Sequence, residues 1–244
     1  MKPFAPDFDL FPLESVPAWG EPPNLELHWY GLTGGTYELL VDGHSLHRSL
    51  EGPPEMDYLL AQVWQDFHDV LPEVLAPIPP ALAERVSAVD EWRGWLEHAW
   101  DLETPLELFA VATSWWDDRA IDAMYLRGAP RMHVWRTGDR LNLTWRASTE
   151  GIWAEPEGEA TMHVSAFVDG LVAFDHRLMT EMRERIESIE HHWTRPDVRI
   201  DKDLRREHAE RATSLAKAMR EPRAPPHSWD EVMTAIAAID EALR

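Results

Sequence analysis

Leu171, Phe174, Leu178, Met182, Ile186, Ile189 and Trp193 recur at spacings of three and four, and this stripe constrains the chain more than any other feature. Such spacing lines one helical face and predicts a single long helix over about 165–192. A stripe of that length must be covered by other layers. The chain has 244 residues, 44% of them hydrophobic, which is enough to build a substantial core in one domain spanning 1–244.

The rest of the last third also reads as helical. Residues 201–220 form a mostly polar helix with Leu204, Ala212, Leu215 and Met219 as its thin apolar face. Ser228-x-x-Glu231, following Pro225-Pro226, is a capping box that opens a final helix running to Leu243. At the other end, the prolines of 1–24 predict an extended lead-in. Alternation over 25–32 and 36–42 about Thr33-Gly34-Gly35 predicts a hairpin. Helices are expected over 55–70, closed by Pro72, and over 81–100, entered through Pro79-Pro80. In the middle, strands are expected over 106–116, 121–126, 132–136, 141–147 and 160–164. Leu106, Leu108, Ala110 and Ala112 supply the alternation of the first. The expected architecture is α+β: an antiparallel meander sheet with helices packed on one face and a helical C-terminal third. Its parts are the lead-in 1–24, a hairpin and two helices over 25–104, the sheet over 105–164 and the helices over 165–244.

Charge excludes several functions. Forty-four acidic against 23 basic residues give a net charge of −21. Phosphate backbones and anionic membrane surfaces are bound by clustered Lys and Arg, so neither nucleic acid nor membrane is an expected partner. The excess is uneven: residues 1–104 hold 19 acidic and 4 basic side chains, a net of −15. That concentration favours association with a basic protein partner. No cysteine is present, which removes disulfides, thiolate metal sites and a cysteine nucleophile. With no spanning apolar stretch and no signal-peptide core near the N-terminus, a cytoplasmic location is expected.

Reaction motifs are scarce. Gly31-Leu32-Thr33-Gly34-Gly35 lacks the Lys-Ser/Thr ending and following helix of a phosphate loop, and no Gly-x-Ser-x-Gly or His-Glu-x-x-His occurs. No cofactor is implied. His44-x-x-His47, and Glu187 with His191 four apart on a helix, are weak metal candidates that need further ligands. The most distinctive stretch is Trp115-Trp116-Asp117-Asp118-Arg119-Ala120-Ile121-Asp122. On a strand, Trp115 and Trp116 point to opposite sides, so at most one is core and the other either caps the sheet edge or anchors a ligand or partner. Asp117, Asp118 and Asp122 make a candidate acid/base pair or cation site, unless Arg119 is simply paired with Asp117 or Asp122. Trp135-Arg136 and Trp145-Arg146, on the two arms of the 132–147 hairpin, invite cross-strand aromatic contacts, or a recognition face if exposed.

His28-Trp29-Tyr30-Gly31-Leu32-Thr33-Gly34-Gly35-Thr36-Tyr37, preceded by Pro12-Leu13 and Pro17-x-Trp19, resembles an uncharacterised bacterial family of unknown function. Its members carry a Trp-aromatic-Gly-Leu-Thr-x-Gly stretch after a Pro/Trp-rich opening. Residues 116–126, 130–135, 143–145 and 167–182 are also similar to that family. The resemblance implies an architecture and no reaction. More loosely, the hairpin, Gly158-x-Ala160 and the long apolar helix resemble immunity-type proteins of bacterial toxin–antitoxin systems, which cover basic toxins with acidic surfaces.

Three functions are therefore expected in order. The first is a non-catalytic acidic module that binds a basic protein, of immunity type. The second is a metal-dependent hydrolase or small-ligand enzyme using Asp117, Asp118 and Asp122 or Glu187 and His191. The third is a homo-oligomeric sensor whose Trp-rich face binds a small molecule.

Overall fold

The computed structural model describes residues 3–51, 56–102, 105–122, 126, 128–148, 151–220 and 226–244. The fold is α+β, as the alternation of strand and helix patterns predicts.

The N-terminal 24 residues are not merely a lead-in. Strand β1 (Phe4–Leu10) pairs antiparallel with β3 (Gly34–Val41) along its whole length. Its position at the sheet edge explains why Pro6, which has no N–H to donate, is tolerated there. Phe4 and Phe8, two turns of the pleat apart, both enter the core. The hairpin expected about Thr33-Gly34-Gly35 does not form. β2 (Leu25–Leu27) stands apart from β3, and a 3-10 turn at Gly31–Thr33 intervenes. Gly34 and Gly35 belong to β3 itself. The turn lies instead at Asp42-Gly43, both with positive φ, which returns the chain into the short β4 (His44–Ser45). Strand β5 (Met56–Leu59) pairs with the other end of β3 and leads into helix α1 (Leu60–Leu75).

Helix α1 runs through Pro72 rather than closing there. Burial of Leu71 and Val74 holds the last turn despite the lost N–H. The start expected at residue 55 lies outside the described residues. The single helix expected over 81–100 is two, α2 (Pro80–Ser87) and α3 (Val89–Asp101), broken at Ala88.

The strand expected over 106–116 is helix α4 (Leu106–Asp117). Its buried residues, Ala112, Thr113, Trp115 and Trp116, with half-buried Leu108 and Phe109, follow the three-and-four spacing of a helix. The alternation misled because two of its four residues, Leu106 and Ala110, are exposed.

The meander is present: β6 (Ala120–Ile121), β7 (Arg131–Thr137), β8 (Arg140–Arg146) and β9 (Glu157–His163) lie side by side in chain order. Most of the strand expected after Ile121 lies outside the described residues. Helix α5 (Val164–His192) carries the long stripe, with Phe167, Leu171, Phe174, Leu178, Met182, Ile186 and Ile189 buried. Next, β10 (Val198–Ile200) pairs parallel with β2, tying the last third to the first. The helix expected over 201–220 divides into α6 (Leu204–Arg211) and α7 (Ser214–Ala218). Finally, α8 (Trp229–Ala242) opens with the capping box at Ser228 and Glu231.

Two apolar cores result. The first lies among α1, α5, the β1–β3 sheet and one face of the meander. The second gathers α2, α3, α4 and α8. Alternation along β7 divides them, since Met132 and Val134 enter the first core and Trp135 the second.

Candidate functional site

The Trp115–Asp122 stretch is placed very differently from its expected geometry. On helix α4 both tryptophans are core, 1% and 3% exposed, and neither serves as a surface anchor. Trp115 packs edge-on to Trp116 and Trp229, and Trp116 stacks on His133 at 4.3 Å. Arg119 is not paired with Asp117 or Asp122. It is 1% exposed and its guanidinium donates to the carbonyls of Trp115 (2.8 Å) and Glu73 (2.9 Å), over the Trp229 ring. Burial pulls its pKa down to about 10, opposed by the charge of Glu73, itself 3% exposed. Asp117 and Asp122 instead flank the exposed Arg131.

Trp135 and Trp145 do not meet across the hairpin. Trp145 faces Met132 in register and Trp135 faces Asn142, so the rings fall on opposite faces, both buried. No recognition face is made of them. Glu187 and His191 are exposed on α5, and neighbouring Glu190 is bound by Arg205. Burial lowers His47 to about 4, and it packs against Tyr37 and Trp153. Among the described residues no three His, Asp or Glu side chains come together in a metal-binding arrangement.

The acidic excess also has a finer distribution than sequence shows. Three of these carboxylates are neutralised from the C-terminal third: Arg177 binds Asp7 and Asp9, and Arg199 binds Glu26. On α2 and α3, among the described residues, Asp90 is the one carboxylate held in an ion pair, by Arg93 and Arg146. Arg85 turns inward to Asp240 of α8 (2.7 and 2.9 Å) and lies over Trp95. Arg93 reaches Thr144 of β8 at 2.8 Å. Outward-facing Glu84, Glu91, Glu97 and Asp101, with Glu107 at the start of α4, make no ion pair among the described residues.

At one end of this acidic face sits an apolar corner. Trp100 is 64% exposed and Leu106 75%, and the Trp100 ring meets Phe109 edge-on at 5.4 Å. With Ala99 and Leu102 these side chains line a dimple of about 70 Å³. Glu97 and Asp101 on α3 and Glu107 on α4 lie within a turn of its lining residues. Large apolar side chains this exposed on facing helix ends, with acid beside them, form the surface expected of a protein contact. Sequence reasoning missed it because 106–116 read as a strand. The signal was Leu106 and Phe109 three apart, opposite the apolar end of α3.

A second concavity, an open groove of about 730 Å³, lies between α1 and α6–α7. Trp64 and His68 lie on one wall, and Arg211, Ser214 and Lys217 on the other.

The molecule is thus an α+β protein of two joined cores with one unneutralised acidic helical face. The chain belongs to a family of unknown function, DUF5984, whose family model matches residues 6–235. No curated protein and no solved structure matches it. Among the described residues no helix is long and apolar enough to cross a membrane.

Proposed function

We propose that the protein is an acidic module that binds a basic protein, in the manner of an immunity protein, through the α2–α4 face. The observation that carries this reading is the exposed Trp100–Leu106 corner beside carboxylates that lack cationic partners. An apolar anchor with a charged rim is how protein interfaces divide affinity from steering. The buried aromatic and aliphatic contacts supply most of the binding energy, and the rim governs approach and partner choice. A partner that fits carries Lys and Arg around an apolar side chain small enough for the dimple.

The test is capture from an extract of the native cells on immobilised wild-type protein and on a Trp100→Ala/Leu106→Ala variant. Both residues are exposed, so the variant keeps its core. The reading expects a basic protein retained by the wild type, released as salt rises and lost from the variant. Equal retention by both, or no retained protein, overturns it.

A further inference from the structure

We propose that the groove between α1 and α6–α7 is an ester-hydrolysing site in which Ser214 is the nucleophile, His68 the general base and Asp175 the residue that positions His68. Three elements distant in sequence bring these groups together. Ser214 opens α7, and its Oγ lies 3.2 Å from His68 Nδ1. On the far side of the imidazole, Nε2 is 3.6 Å from Asp175 Oδ1 on α5. The His68 side chain is only 10% exposed, and its Nε2 has no hydrogen-bond partner. A buried imidazole nitrogen left open toward a carboxylate needs an explanation, and a relay supplies one.

The surroundings hold this line of groups in place. Trp64 Nε1 donates to the same Asp175 oxygen at 2.7 Å, and its ring packs against the imidazole at 3.9 Å. Arg211 lies over Trp29 and Trp64 and is bound to Glu207, which fixes the turn that precedes Ser214. The Ser214 hydroxyl also donates to the Arg211 carbonyl at 2.7 Å. Rotation about its C–O bond turns the same proton to His68 Nδ1. The His68 tautomer that carries hydrogen on Nε2, facing Asp175, leaves Nδ1 free to accept that proton, as a base there requires.

The reaction balances with water alone. Ser214 Oγ attacks the carbonyl carbon of a carboxylic ester while its proton passes to His68 Nδ1. The C–O bond to the alcohol breaks, and the alcohol departs with that proton. Water then attacks the acyl carbon and gives a proton to His68. Ser214 Oγ leaves the acyl carbon, recovers the proton, and the acid is released. Lys217, on the same wall less than a turn beyond Ser214, supplies positive charge for the oxyanion. Asp69 and Glu210 on the walls disfavour anionic acyl groups, so the substrate class is a small uncharged ester.

The test uses the full chain with a fluorophosphonate probe and with p-nitrophenyl acetate. The expected result is one covalent adduct, mapped by peptide mass to Ser214. Release of p-nitrophenolate should fall by about 100-fold or more in Ser214→Ala and in His68→Gln. In Asp175→Asn it should fall about tenfold or more with KM little changed, which loss of packing alone would not produce. An unlabelled Ser214 in the wild-type protein, or undiminished release by Ser214→Ala, overturns the proposal. The outcome is independent of the α2–α4 face, whose capture assay stands or falls separately.

Discussion

The two cores solve the same problem with different side chains. The first spreads four buried tryptophans, Trp29, Trp64, Trp145 and Trp153, through strand and helix faces of Phe, Leu, Val and Met, with Phe4, Phe8, Phe67, Phe167 and Phe174 in mutual contact across β1, α1 and α5. The second is smaller and is filled by Trp92, Trp95, Trp115, Trp116, Trp135 and Trp229, with one buried cation, Arg119, beside it. Large indoles fill volume with few residues, so short helices suffice to close that core. Their outer faces are then free to carry charge. The difference teaches where function has room: Arg177 and Arg199 neutralise Asp7, Asp9 and Glu26 over the first core, whereas Arg85 turns inward to Asp240 and, among the described residues, Glu84, Glu91, Glu97 and Asp101 over the second core make no ion pair.

The largest break in this comparison should come from Arg119→Ala. It removes a buried guanidinium that donates to the Trp115 and Glu73 carbonyls and whose charge opposes that of the buried Glu73 side chain. A loss of about 3–5 kcal/mol is expected by urea unfolding. The double change Arg119→Met/Glu73→Met should recover much of that loss, because it removes the buried acidic side chain together with the guanidinium.

In the first core, the most sensitive small change is at Gly170, where α5 crosses β1. A Cβ there would lie 2.5 Å from the Phe4 carbonyl oxygen. In an open helix Gly→Ala stabilises by about 1 kcal/mol. Here Gly170→Ala should destabilise by about 1–3 kcal/mol in the same assay, with β1 displaced.

Acid offers a comparison of the two regions without mutating their packing. His47 in the first is lowered by burial to about 4, and His133 against Trp116 in the second to about 3. An unfolded histidine takes its proton near pH 6.5, so below that pH the unfolded chain binds more protons. Stability is therefore full above about pH 6.5 and falls as pH drops toward 4, by about 1.4 kcal/mol per unit for each histidine. Asp66, raised by burial to about 6, acts in the opposite sense: its folded form takes a proton first, offsetting about one histidine below pH 6. Unfolding free energies between pH 6 and 4 should therefore fall with a slope near that of one histidine. Asp66→Asn should steepen the fall and His133→Gln should flatten it.

The smallest effect is at the start of α8, which closes the second core. Ser228 caps it through the Glu231 N–H, and Glu231 answers through the Ser228 N–H. Ser228→Ala should cost about 1 kcal/mol, measured as a shift in the thermal midpoint.

The legibility of the sequence divides along the same line. Elements whose local pattern and tertiary burial agree were readable: α5 from its stripe, β7 and β8 from alternation about Thr137-Gly138, and α8 from its capping box. Strand β1 was hidden by prolines that only an edge position permits. Helix α4 was hidden because Leu106 and Ala110, which create the alternation, face solvent. The acidic surplus was visible, but not which carboxylates remain unpaired. That depends on Arg177 and Arg199, more than 150 residues from their partners in the chain. His68, Asp175 and Ser214 carry no local motif at all, and only the packing of α1, α5 and α7 brings them together.

The central claim is that unpaired acid beside an apolar corner on α2–α4 binds a basic protein. It is tested most directly by the salt dependence of affinity for the protein captured from native cells. Wild type should be compared with Glu97→Gln/Asp101→Asn/Glu107→Gln. The account predicts that wild-type affinity falls steeply between low and high salt, and that the triple variant binds more weakly at low salt with a shallower dependence. Identical salt dependence in the two proteins would contradict it.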